Sequence, residues 1–348
     1  MQINSPYFPF RLFVLLILTL VVRHSDAQNN ERPNILLILI DDLRYDCFSN
    51  TGNDFSRSPA IEGIAEQGVS FENSFVITSI CRPSRTSVLT GKYPSAHGVY
   101  HNRQYLDTTA QTIATILQAN DYNTGFIGKF HSNGEPYPGW DRWVSFSNQG
   151  AYDNPVLNVD GIDSQFTGHM NELLTDLMID FIRQPRTQPF FGILSHKAVH
   201  YPFTTEPQFT GSMDHVDFRV PYTWNEDQSS KPLFFRQFYS PFGSDTLMDL
   251  KKLYYEQLGS IDLSVSRVLY ELDVQGELDN TLIVLTSDNG FFWGEHKFYG
   301  KRLPHEESIR IPMFARYPEW FAAGTRITDE IALNVDLAQT FLDRKSVV

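Results

Sequence analysis

The stretch Asn34–Ile40 is aliphatic at every position after its asparagine and stops abruptly at Asp41-Asp42. A strand that is apolar throughout, rather than at alternate positions, needs cover on both faces, as in a parallel sheet held between two layers of helices. The rest of the chain agrees. Further short apolar runs at residues 69–77, 124–128, 190–194 and 282–285, the last clear core strand, alternate with helical patterns at 58–67, 108–119, 168–183 and 245–273. In residues 168–183 the apolar positions recur at helical spacing, a core stripe rather than a binding surface. Two segments, 132–163 and 201–243, read as loops rich in aromatic residues and proline. Long loops inside a compact domain are usually functional. The expected architecture is α/β, with a mostly parallel central sheet flanked by helices.

In such a sheet, ligands bind outside the carboxyl ends of the strands. Four of those ends carry polar residues: Asp41-Asp42, Lys129-Phe130-His131, Ser195-His196, and Ser287-Asp288-Asn289. Two adjacent carboxylates repel each other and call for a cation between them. Carboxylate and amide oxygens, with no thiolate or imidazole cluster, suit calcium or magnesium, and calcium tolerates an irregular set better.

A second constraint is Cys81-Arg82-Pro83-Ser84-Arg85, with Gly91 after it. Pro83 suits the first turn of a helix and Gly91 its end. Cys81 therefore sits where unpaired backbone N–H groups favour an anion, with two arginines within one turn, the surroundings of a reactive rather than an inert thiol. Cys47 is the one other cysteine, so no disulfide framework is expected.

At 348 residues and 41% hydrophobic, the chain can form one large domain. Residues 1–27, with Arg11, an apolar stretch at 12–22 and small Ser25 and Ala27, read as a cleaved secretory signal; that stretch is shorter than the about 20 residues a spanning helix needs. The expected location is periplasmic or extracellular, and the absence of Asn-x-Ser/Thr leans towards a bacterial source. A net charge of −13, more negative once the leader goes, disfavours nucleic acid and anionic membranes as partners, so an anionic substrate must be drawn by local charge.

The pentapeptide from Cys81 to Arg85, with Thr90-Gly91 after it, resembles the signature of the type I sulfatases, and the similarity runs from about residue 32 to residue 342. It implies an alkaline-phosphatase-like fold, and oxidation of Cys81 to formylglycine (3-oxoalanine) by a formylglycine-generating enzyme. It implies Asp41, Asp42, Asp288 and Asn289 as ligands of one divalent ion, usually calcium, completed by residue 81. Arg85 would hold the formylglycine hydrate, and Lys129, His131, His196 and Lys301 would contact the sulfate ester. His196 is then the expected general acid and His131 the group near the second hydroxyl, roles that can be exchanged. His200 and Arg302 are further candidates for substrate contact, His200 equally for capping its loop, and His296 is either support behind the site or structural. The segments Gly139-Trp140-Asp141-Arg142-Trp143 and Gly150-Ala151-Tyr152 are similar to those of carbohydrate sulfatases, which implies a sulfated mono-, oligo- or polysaccharide substrate. Trp140 and Trp143 could stack on a sugar or pack in the core. Phosphomonoester or phosphonate monoester hydrolysis is an alternative on the same scaffold. Sulfoglycan binding without catalysis is another, if Cys81 stays a thiol. The family continues past the late helix at 334–342 into a smaller C-terminal subdomain. Here the tail 343–348 follows a domain spanning 28–342, so that subdomain is expected to be missing.

Overall fold

The computed structural model describes residues 32–229 and 231–343; the leader expected at 1–27 and residues 344–348 lie outside the described residues. In chain order the strands are β1 (Asn34–Ile40), β2 (Val69–Phe75), β3 (Asn123–Gly128), β4 (Arg142–Ser145), β5 (Val156–Val159), β6 (Ile162–Gln165), β7 (Phe190–Ser195), β8 (Thr281–Ser287), β9 (Phe292–Trp293), β10 (Tyr299–Gly300), β11 (Met313–Arg316) and β12 (Thr325–Leu333). The principal helices are α1 (Pro59–Glu66), α2 (Cys81–Thr90), α3 (Ile113–Ala119), α4 (Met170–Ile182), α5 (Ser244–Val274) and α6 (Asp336–Leu342). Ten strands form one sheet in the order β12-β2-β11-β8-β1-β7-β3-β4-β5-β6. All run the same way except β11 and β5, each antiparallel to both neighbours.

β1 lies at the middle of the sheet and is buried at all seven positions, as its composition requires. Its alternate side chains serve two cores. Leu36, Ile38 and Ile40 pack with residues of α1, α4 and α5, while Ile35 and Leu37 pack with residues of α2, α3 and α6. Trp143 is 2% exposed and stacks on Phe126, and Trp140 packs against Phe126 and Phe191. Of their two readings, the core one holds. Both cysteines are free, and Cys47 is buried beside the Tyr254 hydroxyl.

Three segments differ from the sequence reading. Helix α3 starts at Ile113 rather than residue 108, because the Thr112 hydroxyl accepts the Thr115 N–H and caps the helix there. The segment 132–163 contains β4, β5 and β6, strands of four residues each, too short to show a period against their aromatic and glycine-rich setting. Residues 282–285 are not the last core strand. β11, also four residues long, is fully buried beside β8. Among the described residues no helix is long and apolar enough to cross a membrane.

Candidate active site

The register of the sheet sets the site. Ile40 pairs with Ser287, Leu39 with Ser195, and Ser195 with Gly128, so β1, β8, β7 and β3 end level with one another. The next residues on those strands therefore emerge side by side. Gly128 permits the last of these approaches: its φ is +121°, and a Cβ there would lie 1.9 Å from the Ser195 carbonyl oxygen. The Lys129 N–H donates to that same oxygen at 2.7 Å. Helix α2 brings residue 81 in its first turn, and Lys301 follows the small hairpin of β9 and β10.

Asp41, Asp42 and Asp288 are each at most 1% exposed, and they offer carboxylate oxygens within 4.8 Å of one another. Lys129 pairs with Asp41 Oδ2. Lys301 pairs with Asp42 Oδ1 and lies 2.9 Å from Cys81 Sγ, which is itself 3.6 Å from Asp41 Oδ1. Arg85 Nε donates to Asp288 Oδ2 at 2.8 Å, and its Nη1 donates both to the Lys129 carbonyl at 2.6 Å and to Ser195 Oγ at 2.5 Å. Asn289 donates from Nδ2 to Asp42 Oδ1 at 2.6 Å, while its buried Oδ1 has no hydrogen-bond partner. Segments more than 200 residues apart in sequence thus close on residue 81.

The sulfatase family model matches residues 33–345. The chain belongs to the sulfatase family. It is 28% identical to an N-acetylglucosamine-6-O-sulfatase of Bacteroides thetaiotaomicron, over 92% of this chain and 69% of that protein. It is also 28% identical to the N-acetylglucosamine-6-sulfatase of Capra hircus, over 91% of this chain and 61% of that relative. It thus spans roughly two thirds of the length of each relative. A solved structure in complex with its substrate, D-glucosamine-2-N,6-O-disulfate, superimposes with a TM-score of 0.85 at 28% identity, covering 90% of this chain and 76% of that one. The fold is the alkaline-phosphatase-like fold of the type I sulfatases.

Burial and charge set the protonation of this sulfatase's cluster. Burial, and then the Asp41 carboxylate, push the Cys81 thiol up to about 12, so the group is neutral and enclosed at 1% exposure. The charged surroundings expected from the sequence are present, but the thiol itself is buried among them. Arg82 directs its guanidinium elsewhere, to the His131 and Gln104 carbonyls and over the Tyr105 ring. Burial works against the Asp41 carboxylate, yet Lys129 and the other cations hold it well below the ordinary range. Burial raises Asp42 to about 7; Lys301 opposes this, while Asp41 and Asp288 add to it.

A divalent cation fits this donor set. Three crowded carboxylates, one of them raised to about 7, gain from added positive charge, and the unpartnered Asn289 Oδ1 supplies a further hard oxygen.

Of the remaining candidates, the structure separates those on the loop after β7. His196 does not join the cluster. Its Nε2 is 3.0 Å from Ser264 Oγ on α5, on the far face of the sheet, and burial alone takes it down to about 3. Alternation along the strand explains the difference, because Ser195 faces Arg85 and the next side chain must face α5. His200 comes to the cluster instead. Asp41 N–H donates to the Ala198 carbonyl at 3.2 Å and Val199 N–H to the Asp41 carbonyl at 3.0 Å, which folds the loop back over β1. His200 Nε2 then lies 3.8 Å from Asp42 Oδ2, and its Nδ1 is 2.5 Å from the Tyr201 carbonyl. Burial first, then the Lys129 charge, hold His200 well below its ordinary value.

His131 is 5% exposed and borders Lys129 through a residue absent from the sequence reading, Gln149. No residue-type signal marks a glutamine in a loop. Arg302 is exposed and has φ 92°; only its backbone N–H, donating to Ser308 Oγ, ties it to the site's surroundings. Its side chain is in no ion pair or hydrogen bond among the described residues, so the structure does not bring it to the cluster. His296 instead bonds Glu226 Oε1 at 2.6 Å, in a separate group with Lys231.

Proposed function

We propose that this chain hydrolyses a sulfate ester on a sulfated carbohydrate, with residue 81 matured to formylglycine by a formylglycine-generating enzyme. One divalent ion, calcium, would be held by Asp41, Asp42, Asp288, Asn289 and residue 81. The observation that carries this reading is the convergence of three buried carboxylates and three cations, Lys129, Lys301 and Arg85, around residue 81. The names of the relatives and the disulfated glucosamine of the solved neighbour point to a 6-sulfated glucosamine unit. We also propose that residues 1–27, with Arg11 and the apolar stretch at 12–22, are a cleaved secretory leader and that the enzyme is exported.

A neutral, enclosed thiol is a poor nucleophile. The hydrate of formylglycine supplies a hydroxyl in its place, and a bound divalent ion supplies positive charge for the sulfate oxygens. The chain's own residues do the rest. Lys129 and Lys301 set two ammonium groups beside residue 81, and Arg85, fixed by Asp288, Ser195 and the Lys129 carbonyl, adds a third positive charge that need not reorganise as charge builds on the transferring group. His200 carries the proton for the leaving oxygen. With Nδ1 committed to the Tyr201 carbonyl, its exchangeable site is Nε2, which faces the cluster, and an anionic ester raises its affinity for a proton.

The test is release of inorganic sulfate from a panel of sulfated mono- and oligosaccharides by protein matured at residue 81, beside p-nitrophenyl phosphate. Release from 6-sulfated glucosamine substrates, well above phosphate turnover, is expected. Phosphate ester turnover with no release from any sulfated sugar overturns the proposal.

A further inference from the structure

Tyr152 belongs to a segment similar to that of carbohydrate sulfatases, yet the residue is 3% exposed and offers no open face to a sugar. It turns inward. Its hydroxyl oxygen lies 2.6 Å from the main-chain carbonyl of His200 and 3.5 Å from Gln257 Oε1. Both of those oxygens only accept, so the single phenolic proton goes to the nearer one. Burial, with the Asp41 charge adding to it, holds the hydroxyl well above its ordinary range, so it keeps that proton at neutral pH. Two side chains hold the ring. Lys197 Nζ lies 3.4 Å from its centroid, and His169 stacks on it at 5.5 Å and 14°. Lys197 is fully buried, and its Nζ has no hydrogen-bond partner among the described residues. Burial, and then Lys129, draw Lys197 down to about 7, and either protonation form presents an N–H to the ring. The carbonyl of the same lysine accepts the His200 N–H at 3.1 Å. Lys197 thus holds His200 twice, once through the main chain and once through the Tyr152 ring.

We propose that Tyr152, braced by Lys197, is a positioning residue that fixes the main chain at His200 and so aims its imidazole at the leaving oxygen of the sugar. With the His200 N–H and carbonyl both tied, rotation of the side chain is what remains. The bond between Nδ1 and the Tyr201 carbonyl removes that too, and leaves Nε2 facing the cluster, 3.8 Å from Asp42 Oδ2. Proton transfer in a transition state demands such placement, since an error of about 1 Å can cost about 100-fold. The inference rests on the assignment of His200 as proton carrier made above.

Two esters separate positioning from packing. A sugar alcohol is a poor leaving group and needs the proton; p-nitrophenolate departs without it. In matured protein, Y152F keeps the ring and loses only the hydroxyl. It is expected to lower kcat/KM about 10- to 100-fold on a 6-sulfated glucosamine. On p-nitrophenyl sulfate it should leave kcat/KM within about threefold, as for a residue that touches no reacting group. K197M is expected to show the same selectivity. Y152F/K197M should be no slower than Y152F on the sugar ester, because the two side chains act through one carbonyl. An equal loss on both esters in Y152F, or no loss on either, overturns the proposal; should Y152F fail to fold, K197M is read the same way. H200A is the reference. Were H200A to slow both esters alike, the acid assignment would fail and the role given to Tyr152 with it. Were H200A selective and Y152F not, the positioning role alone would fall.

Discussion

Two buried polar regions lie on opposite faces of the same strand ends. On the α5 face, His196 meets Ser264, Ser264 meets Thr175 at 2.5 Å, and Asn171 meets Ser260 at 2.9 Å. Every member of that seam is neutral. On the other face, Asp41, Asp42 and Asp288 meet Lys129, Lys301 and Arg85. Both regions are buried, but they fail differently. A neutral seam loses one hydrogen bond when a side chain is removed; a buried charge cluster strands the partner left behind. The seam is a way of packing helices on a sheet. The cluster stores charge where a reaction can use it.

The sharpest break between the two is chemical. C81A, which has no thiol to mature, is expected to lower kcat on the order of 10⁴-fold or more relative to the matured wild type, as removal of a nucleophile does. S264A, on the seam, should leave kcat per folded molecule within about threefold, as expected of a residue that touches no reacting group. A steady-state assay normalised to folded protein checks both. The two histidines come next. H200A is expected to lose about 10²- to 10⁴-fold in kcat with little change in stability, whereas H196A should keep kcat and lose about 1–3 kcal/mol in urea unfolding. Were H196A to lose kcat at full stability, the comparison would be inverted and His196 would regain the acid's role.

Stability then separates a charge from a neutral group. K129M removes the nearest of the cations around Asp41, leaving Arg85 at 3.7 Å and Lys301 at 3.8 Å, and is expected to destabilise by up to about 3 kcal/mol, an effect much reduced in K129M/D41N. S264A should cost about 1 kcal/mol. The smallest effect is a slope with pH. Asp42 titrates near 3.8 when unfolded and near 7 when folded without metal. Between those values the unfolded chain gives up its proton first, so metal-free stability falls as pH rises from 3.8 to about 7, then levels off as far as this group is concerned. Calcium needs the ionised carboxylate, so its stabilisation should grow over the same span, towards about 2.7 kcal/mol at a hundredfold excess over Kd. D42N should remove the slope, measured as Tm against pH with and without calcium.

Much of this was legible in the sequence for one physical reason: strands buried on both faces announce themselves, and their first polar residues mark the sheet's carboxyl edge. That places Asp41, Asp42, Lys129, Asp288 and Asn289 without any coordinates. The same rule misleads at β7, where the first histidine after the strand points to α5 and the second, four residues on, is carried to the cluster by backbone bonds between Asp41 and residues 198–199. Nothing in the residue types of that loop records those bonds. Gln149 is silent for a similar reason, since an amide becomes informative only when a lysine and a histidine are seen on either side of it. β11 escaped because four residues are too few to display a period.

The central claim is that oxygens from residues 41–42 and 288–289 hold one cation beside residue 81. Isothermal titration of metal-free protein with calcium tests it most directly, against D42N and D288N of confirmed fold. One ion per chain in the wild type, and binding weakened at least about 100-fold in each variant, is the expected result. Equal stoichiometry and affinity in all three proteins would contradict it.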